Sequence, residues 1–188
     1  MKFSRSLMIL ISTLLGVAVF FFKPRKARAP IVDSEKSLYP GTSISIQPGD
    51  LLFTPIGKSE SKFVGHVGIV NLKHKVVHSI PAGIVEDQVS DYFRKFRSIS
   101  IFSPKVPIVG RNAAGYLEDL TEKYPRADYR ILTPLGSVNH EQYCTKIVWQ
   151  AYQFGAGVNL GHLRDQARAI HPEFLKDHRH LERKATKL

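Results

Sequence analysis

Cys144 is the only cysteine among the 188 residues of this chain, in the string Gln142-Tyr143-Cys144-Thr145-Lys146-Ile147-Val148-Trp149-Gln150-Ala151-Tyr152. A lone thiol forms no intramolecular disulfide and builds no multi-cysteine metal site, so it is either apolar filler or a nucleophile. A place in the opening turns of an amphipathic helix favours the nucleophile, because a helix N-terminus stabilises thiolate over thiol. Such a thiol needs a base within reach of its proton and a third polar group that fixes the base's tautomer and tilt. His66, in Gly65-His66-Val67-Gly68-Ile69-Val70, is the candidate base. His78 follows twelve residues later and falls on the adjacent strand if the chain turns at Lys73-His74-Lys75, where it can hold the His66 ring. Spacing alone leaves the filler reading open, since a cysteine on an apolar helix face and a histidine in a Val/Ile strand both occur as core residues.

The elements that must position these residues follow from patterning. Ile46-Gln47-Pro48-Gly49-Asp50-Leu51-Leu52-Phe53 reads as a tight turn feeding a short apolar strand. Val64 to Leu72 is rich in Val and Ile, and Val76 to Ile80 returns after the polar turn, which predicts a hairpin. Gly83 to Val89 adds a strand, Ser90 to Phe96 reads as a helix with Tyr92, Phe93 and Phe96 on one side, and Ser98 to Phe102 alternates as another strand. Asn112 is expected to cap a helix over 113–124. Asn139-x-x-Gln142 has capping-box spacing and predicts a second long helix from near Asn139. Its apolar face is Cys144, Ile147, Val148, Ala151 and Phe154, and Gly155 and Gly157 end it. Strands grouped together and flanked by helices, without βαβ alternation, give the fold class α+β.

The formal charge of +11, from 27 basic and 16 acidic residues, overstates the basicity of the folded part. Residues 1–29 carry six basic side chains and no acidic one, which leaves twenty-one basic residues against sixteen acidic. Basic residues interleaved with aromatics, or a reader motif, are missing, so nucleic acid is not expected as a partner. A mildly basic protein beside anionic lipid or wall polymer fits the charge as well. Lys2 and Arg5 precede an uncharged run from Ser6 to Phe22, at the short limit for a helix that crosses a bilayer. Ala27-Arg28-Ala29 resembles a cleavage site, but Pro30 follows it directly and four basic residues separate it from the run. These features favour a retained membrane anchor over a cleaved signal, with a secreted form as the alternative. Basic residues flank the run on both sides, so the positive-inside count leaves its orientation open.

The expected organisation is an anchor or signal segment at 1–29, a linker at 30–43, one domain at 44–175 and a basic tail at 176–188. Hydrophobic content of 43% is enough for a core. His171, His178 and His180 lack the spacing and the companion ligands of a metal site, so the tail reads as a solvated basic helix. No metal or cofactor is expected, and nothing in the sequence sets the oligomeric state.

Four strings together carry a resemblance: Gly49-Asp50-Leu51-Leu52-Phe53, Gly65-His66-Val67-Gly68-Ile69-Val70, Asp128-Tyr129 and Tyr143 to Tyr152. Over about residues 44–160 the chain resembles the permuted papain-like amidases of the YaeF/YiiX type, relatives of the NlpC-type cell-wall peptidases whose chain order is rotated so that histidine precedes cysteine. The resemblance implies a small antiparallel sheet packed against a cysteine-bearing helix, with Cys144 as nucleophile and His66 as general base. Relatives often carry a glutamate where this chain has His78, whereas NlpC-type proteins use a histidine, so His78 is the expected orienter and Glu86 the fallback. Tyr129 takes a supporting oxyanion role, beside the backbone N–H of Cys144. The implied reaction is hydrolysis of an amide or ester through a thioester in the bacterial cell envelope, with the domain outside the cytoplasm. The substrate class is a cell-wall peptide or a small acyl or lipid compound. An acyltransferase on the same site and a catalytically silent, membrane-tethered binding module are the alternatives.

Overall fold

The computed structural model describes residues 37–55 and 65–188. The expected anchor at 1–29 lies outside them. Among the described residues no helix is long and apolar enough to cross a membrane.

Four strands come first: β1 (Leu51–Thr54), β2 (His66–Val70), β3 (Lys75–Ile80) and β4 (Gly83–Gln88). Helix α1 (Val89–Lys95), strand β5 (Ser100–Pro104) and helix α2 (Pro107–Lys123) follow, then two short strands, β6 (Asp128–Tyr129) and β7 (Glu141–Gln142). Helix α3 (Cys144–Gln150) continues into a π-helical turn at Ala151–Gly155, and β8 (Leu181–Ala185) closes the chain. Six strands form one antiparallel sheet in the order β4-β3-β2-β1-β5-β8, while β6 and β7 pair in parallel beside it.

Strand alternation gives the sheet two apolar faces. Leu51, Phe53, Val67, Ile69, Val77 and Phe102 share one core with α2 and α3, including Leu117, Ile147 and Val148. Leu52, Val70, Val76 and Ile101 share the other with Tyr92 and Phe96 around α1 and with Tyr39 and Ile46. Both faces are therefore covered, and the α+β architecture expected from patterning is present.

Several boundaries differ from expectation, each for a local reason. Helix α2 starts at Pro107, five residues before Asn112, because a proline in the first turn needs no N–H partner. Helix α3 starts at Cys144 itself and not near Asn139. Glu141 and Gln142 are held in the β6–β7 ladder, and Gln142 donates its side-chain amide to Asn139 O at 2.8 Å. Phe154, expected on the buried face, is 41% exposed. The basic C-terminal segment is an edge strand rather than a helix, with Phe102 opposite Arg183 and Pro104 opposite Leu181. Packing also begins before residue 44: Tyr39 is buried and donates its hydroxyl to Asp50 Oδ2 at 2.8 Å.

Two close contacts hold the site's framework. At the turn before β1, Gly49 has φ +87°, and a Cβ there would lie 2.3 Å from the Gly110 Cα of α2. Tyr152, past α3, donates to Gly49 O at 2.6 Å, so one turn ties both helices to the sheet. The second contact is the Lys146 ammonium, which donates to Thr133 Oγ1, Ser137 Oγ, Asn139 Oδ1 and Glu141 O at 2.7–3.2 Å. It clamps the segment between β6 and β7 onto the helix that begins with Cys144. Burial pushes the Lys146 ammonium down to about 8, with Glu141 acting against the shift.

Gly49→Ala adds both a strained φ and a backbone clash, so it is expected to lower the unfolding free energy by about 2–4 kcal/mol in urea titrations. Lys146 has a distinct pH signature. Its pKa lies lower in the folded than in the unfolded chain, so the unfolded chain binds the extra proton between about pH 8 and the ordinary lysine value. The parent's stability relative to Lys146→Met is therefore expected to be flat below pH 8 and to rise with pH across that window. A difference that stays flat in denaturant melts from pH 7 to 10.5 would contradict the assignment.

Candidate functional site

The sheet does not close fully between β2 and β3. Val70 N–H donates to Asp50 O at 2.8 Å, so by alternation Val70, Gly68 and His66 turn their backbone groups towards β1 while Ile69 and Val67 turn theirs towards β3. The β2–β3 ladder pairs only Val70 with Val76 and Ile69 with Val77. The next N–H, that of Val67, lies outside this ladder and helps to hold the Cys144 thiol down against burial. The first residue of α3 thus meets the open seam of the sheet from the α3 side.

One contact to that sulfur is within reach of a hydrogen bond, Thr145 Oγ1 at 3.9 Å, and the Val67 and Thr145 N–H groups and the Tyr129 hydroxyl also act on it. Burial pushes the Cys144 thiol up, and these donors work against the shift. Burial also raises Tyr129, helped by the sulfur beside it, so its phenol stays a donor. The sulfur is consequently a buried thiol surrounded by groups that would stabilise a thiolate.

The histidines approach the same seam from the α1 side. His66 stacks on Phe96, with ring centroids 4.9 Å apart and planes 15° apart, and lies 6.4 Å from Tyr92. Its Nε2 is 2.9 Å from Nδ1 of His78, across the gap that the ladder leaves. His78 Nε2 is in turn 2.9 Å from Asp87 Oδ2, and both oxygens of Asp87 accept from Lys95 Nζ, at 2.7 and 2.8 Å. Gly68 makes this arrangement fit, since a Cβ there would fall 2.5 Å from Val76 Cγ1 and 3.2 Å from the Tyr92 ring. Burial, with His78 next to it, holds the His66 imidazole down to about 3. Partial burial works against ionisation of Asp87, but hydrogen bonds from Lys95 and His78 outweigh it and keep the carboxyl below its ordinary range.

The structure pairs His66 with His78 on the α1 face of the sheet and sets Tyr129 beside Cys144 on the α3 face. In the resting arrangement the His66 ring's hydrogen bond goes to His78 and the sulfur's contact is to Thr145 Oγ1, so thiol and imidazole are not bonded to each other. Contacts of this kind are often long without substrate and tighten when it binds. Glu86 does not join them: it pairs opposite Val77 and its carboxylate accepts from Asn71 Nδ2 and Lys75 Nζ. Its neighbour Asp87 holds the place beside His78. Asp87, Lys95, Thr145 and the Val67 amide were not legible from spacing. For Asp87 the missing signal was strand parity, since pairing of Ile80 with Gly83 puts residues 85 and 87 on the face of His78. Among the described residues no three His, Cys, Asp or Glu side chains group as metal ligands, and the two histidines spend their facing nitrogens on each other. Tyr129 also lines a cleft of about 430 Å³ with Arg130, Ile131, Leu132, Thr133 and Glu141.

This arrangement can be set beside known proteins. A family model described as "Lipoprotein N-acylation protein LnsA-like" matches residues 5–179. No curated protein matches significantly. Among solved structures, the metalloprotein YiiX of Escherichia coli O157:H7 superposes with a TM-score of 0.57 at 15% identity, over 75% of this chain and 97% of its own. The family and the shared fold indicate an enzyme of acyl-transfer or hydrolytic type. With a histidine strand ahead of a cysteine helix and a family match over nearly its whole length, the chain belongs to the LnsA-like lipoprotein N-acylation family and has the permuted papain-like fold of the YiiX type.

Proposed function

We propose that the chain is a cysteine-dependent acyl-transfer enzyme of the cell envelope. In this reading the Cys144 thiolate takes an acyl group from a lipid ester or amide as a thioester and passes it to water or an amine. The observation that carries it is a buried cysteine that begins a helix, its sulfur 3.9 Å from Thr145 Oγ1, in a chain whose histidine strand comes first. His66 takes the thiol proton and returns it to the leaving group. His78 holds His66, and Tyr129 with the Val67 amide stabilises charge on sulfur and on the carbonyl oxygen as it develops. The family description supports an acyl over a peptide substrate. The cleft beside Tyr129 supports it too, because Ile131 and Leu132 expose 43% and 70% of their surface there, enough apolar wall to receive an acyl chain.

A second reading has one observation in its favour. A thiol pushed up and an imidazole held low, with no hydrogen bond between them, is also what a silent binding module would retain.

The two readings separate in an assay of the full chain with vesicles of anionic diacyl phospholipid, following free fatty acid and acylated amine. The enzyme reading expects release that falls at least about 10³-fold in Cys144→Ala and in His66→Ala, with melting temperatures held. Equal release from parent and Cys144→Ala would leave only the binding module.

A further inference from the structure

A mechanistic difficulty lies in the site as described. The imidazole that must accept the thiol proton packs against Phe96, Tyr92 and His78, with no carboxylate bonded to it among the described residues. A cation formed there is poorly solvated, in keeping with the depressed basicity of His66. The carboxylate that the cluster holds among the described residues stands one imidazole further away, at Asp87.

We propose that Asp87 is a positioning residue that sets the tautomers of both histidines, so that the proton leaving Cys144 enters at His66 while the positive charge comes to rest on His78. The proposal rests on Cys144 being the nucleophile.

The tautomers follow from the donor inventory. An ionised Asp87 can only accept, so His78 Nε2, at 2.9 Å, must carry a proton. Neutral His78 then presents a bare Nδ1. His66 Nε2, 2.9 Å from it, must be the donor, which leaves Nδ1 of neutral His66 bare. That nitrogen makes no hydrogen bond among the described residues, and in this relay it receives the thiol proton. Without the carboxylate the pair has no reason to choose this order. The reverse order puts the proton on His66 Nδ1 and removes the base.

Two protons then move together. The Cys144 S–H bond breaks and a bond forms to His66 Nδ1. The His66 Nε2–H bond breaks and a bond forms to His78 Nδ1. The products are the Cys144 thiolate, a neutral His66, a His78 imidazolium and an unchanged Asp87 carboxylate. The ring without a carboxylate partner never holds the charge, and the ring that does, itself fully buried, is paired with Asp87. When the leaving group departs both transfers reverse, and His66 Nδ1 delivers the proton. Lys95, on α1, keeps Asp87 ionised through contacts to both of its oxygens. Titratable groups that face His78 among the described residues include His66 from β2, Asp87 from β4 and Tyr92 from α1, with Lys95 reaching it through Asp87.

The test is the alkylation rate of Cys144 by iodoacetamide in the full chain, followed by intact mass from pH 5 to 10 in the parent, Asp87→Asn and Asp87→Glu. Thermal melts confirm that each is folded. Asp87→Asn is expected to slow alkylation at neutral pH by about 100-fold or more and to move the profile to higher pH, while Asp87→Glu restores most of the rate. An Asp87→Asn rate and profile equal to the parent's would overturn the proposal. If that variant does not fold, nitrogen NMR of histidine-labelled parent decides: a bare Nδ1 on His66 supports the relay, and a proton there overturns it. Alkylation needs no substrate, so a relay that passes this test in a chain that releases no acyl product would refute the proposed function and leave the relay standing.

Discussion

The incomplete ladder between β2 and β3 is the constraint on which the rest of the site depends. Two paired positions hold the strands together at one end, and past Ile69 and Val77 they part. That opening frees the Val67 N–H for the Cys144 sulfur and leaves a gap bridged by the imidazoles of His66 and His78. A fully paired ladder would consume the amide and wall the helix face off from the histidine face. The framework keeps the opening from closing. Gly49 and Gly110 bring the turn before β1 against α2, Tyr152 ties that turn to the chain beyond α3, and Lys146 fixes the segment that carries the cleft wall.

Burial cuts both ways here. Removing Cys144 and His66 from water disfavours their charged forms, so the resting pair is thiol and neutral imidazole rather than a standing ion pair. The same low-polarity surroundings strengthen each donor aimed at the sulfur and each contact along the His66–His78–Asp87 line. A site of this kind holds its nucleophile unreactive until a substrate carbonyl arrives and the proton has somewhere to go. It also keeps water away from a thioester, which matters if an amine is to intercept it.

Much of this was readable before any coordinates. The glycine-flanked His66 and the twelve-residue interval to His78 pointed to two adjacent strands and Cys144 to a helix, because short apolar strands and an apolar helix face follow local periodicity. What escaped depended on register. Glu86 and Asp87 are adjacent and chemically alike, and only the pairing of Ile80 with Gly83 tells which one shares a face with His78. The start of α3 escaped for a similar reason. Asn139 and Gln142 have capping-box spacing, but a parallel ladder with Asp128 and Tyr129, nonlocal in sequence, claims the backbone around them. The C-terminal segment is charged enough to read as solvated, yet edge strands also carry such residues, and pairing with β5 makes it part of the sheet.

The central claim is that acyl groups pass through the Cys144 sulfur. Intact-mass spectrometry of the full chain, quenched in acid after brief exposure to diacyl phospholipid vesicles or to cell-wall peptides, tests it most directly. The account expects a single adduct with the mass of one lipid acyl chain, mapping to the Tyr143–Trp149 peptide and removed by hydroxylamine. An acyl adduct that maps elsewhere and persists in Cys144→Ala, or an unmodified Cys144 in a chain that still turns the lipid over, would contradict it.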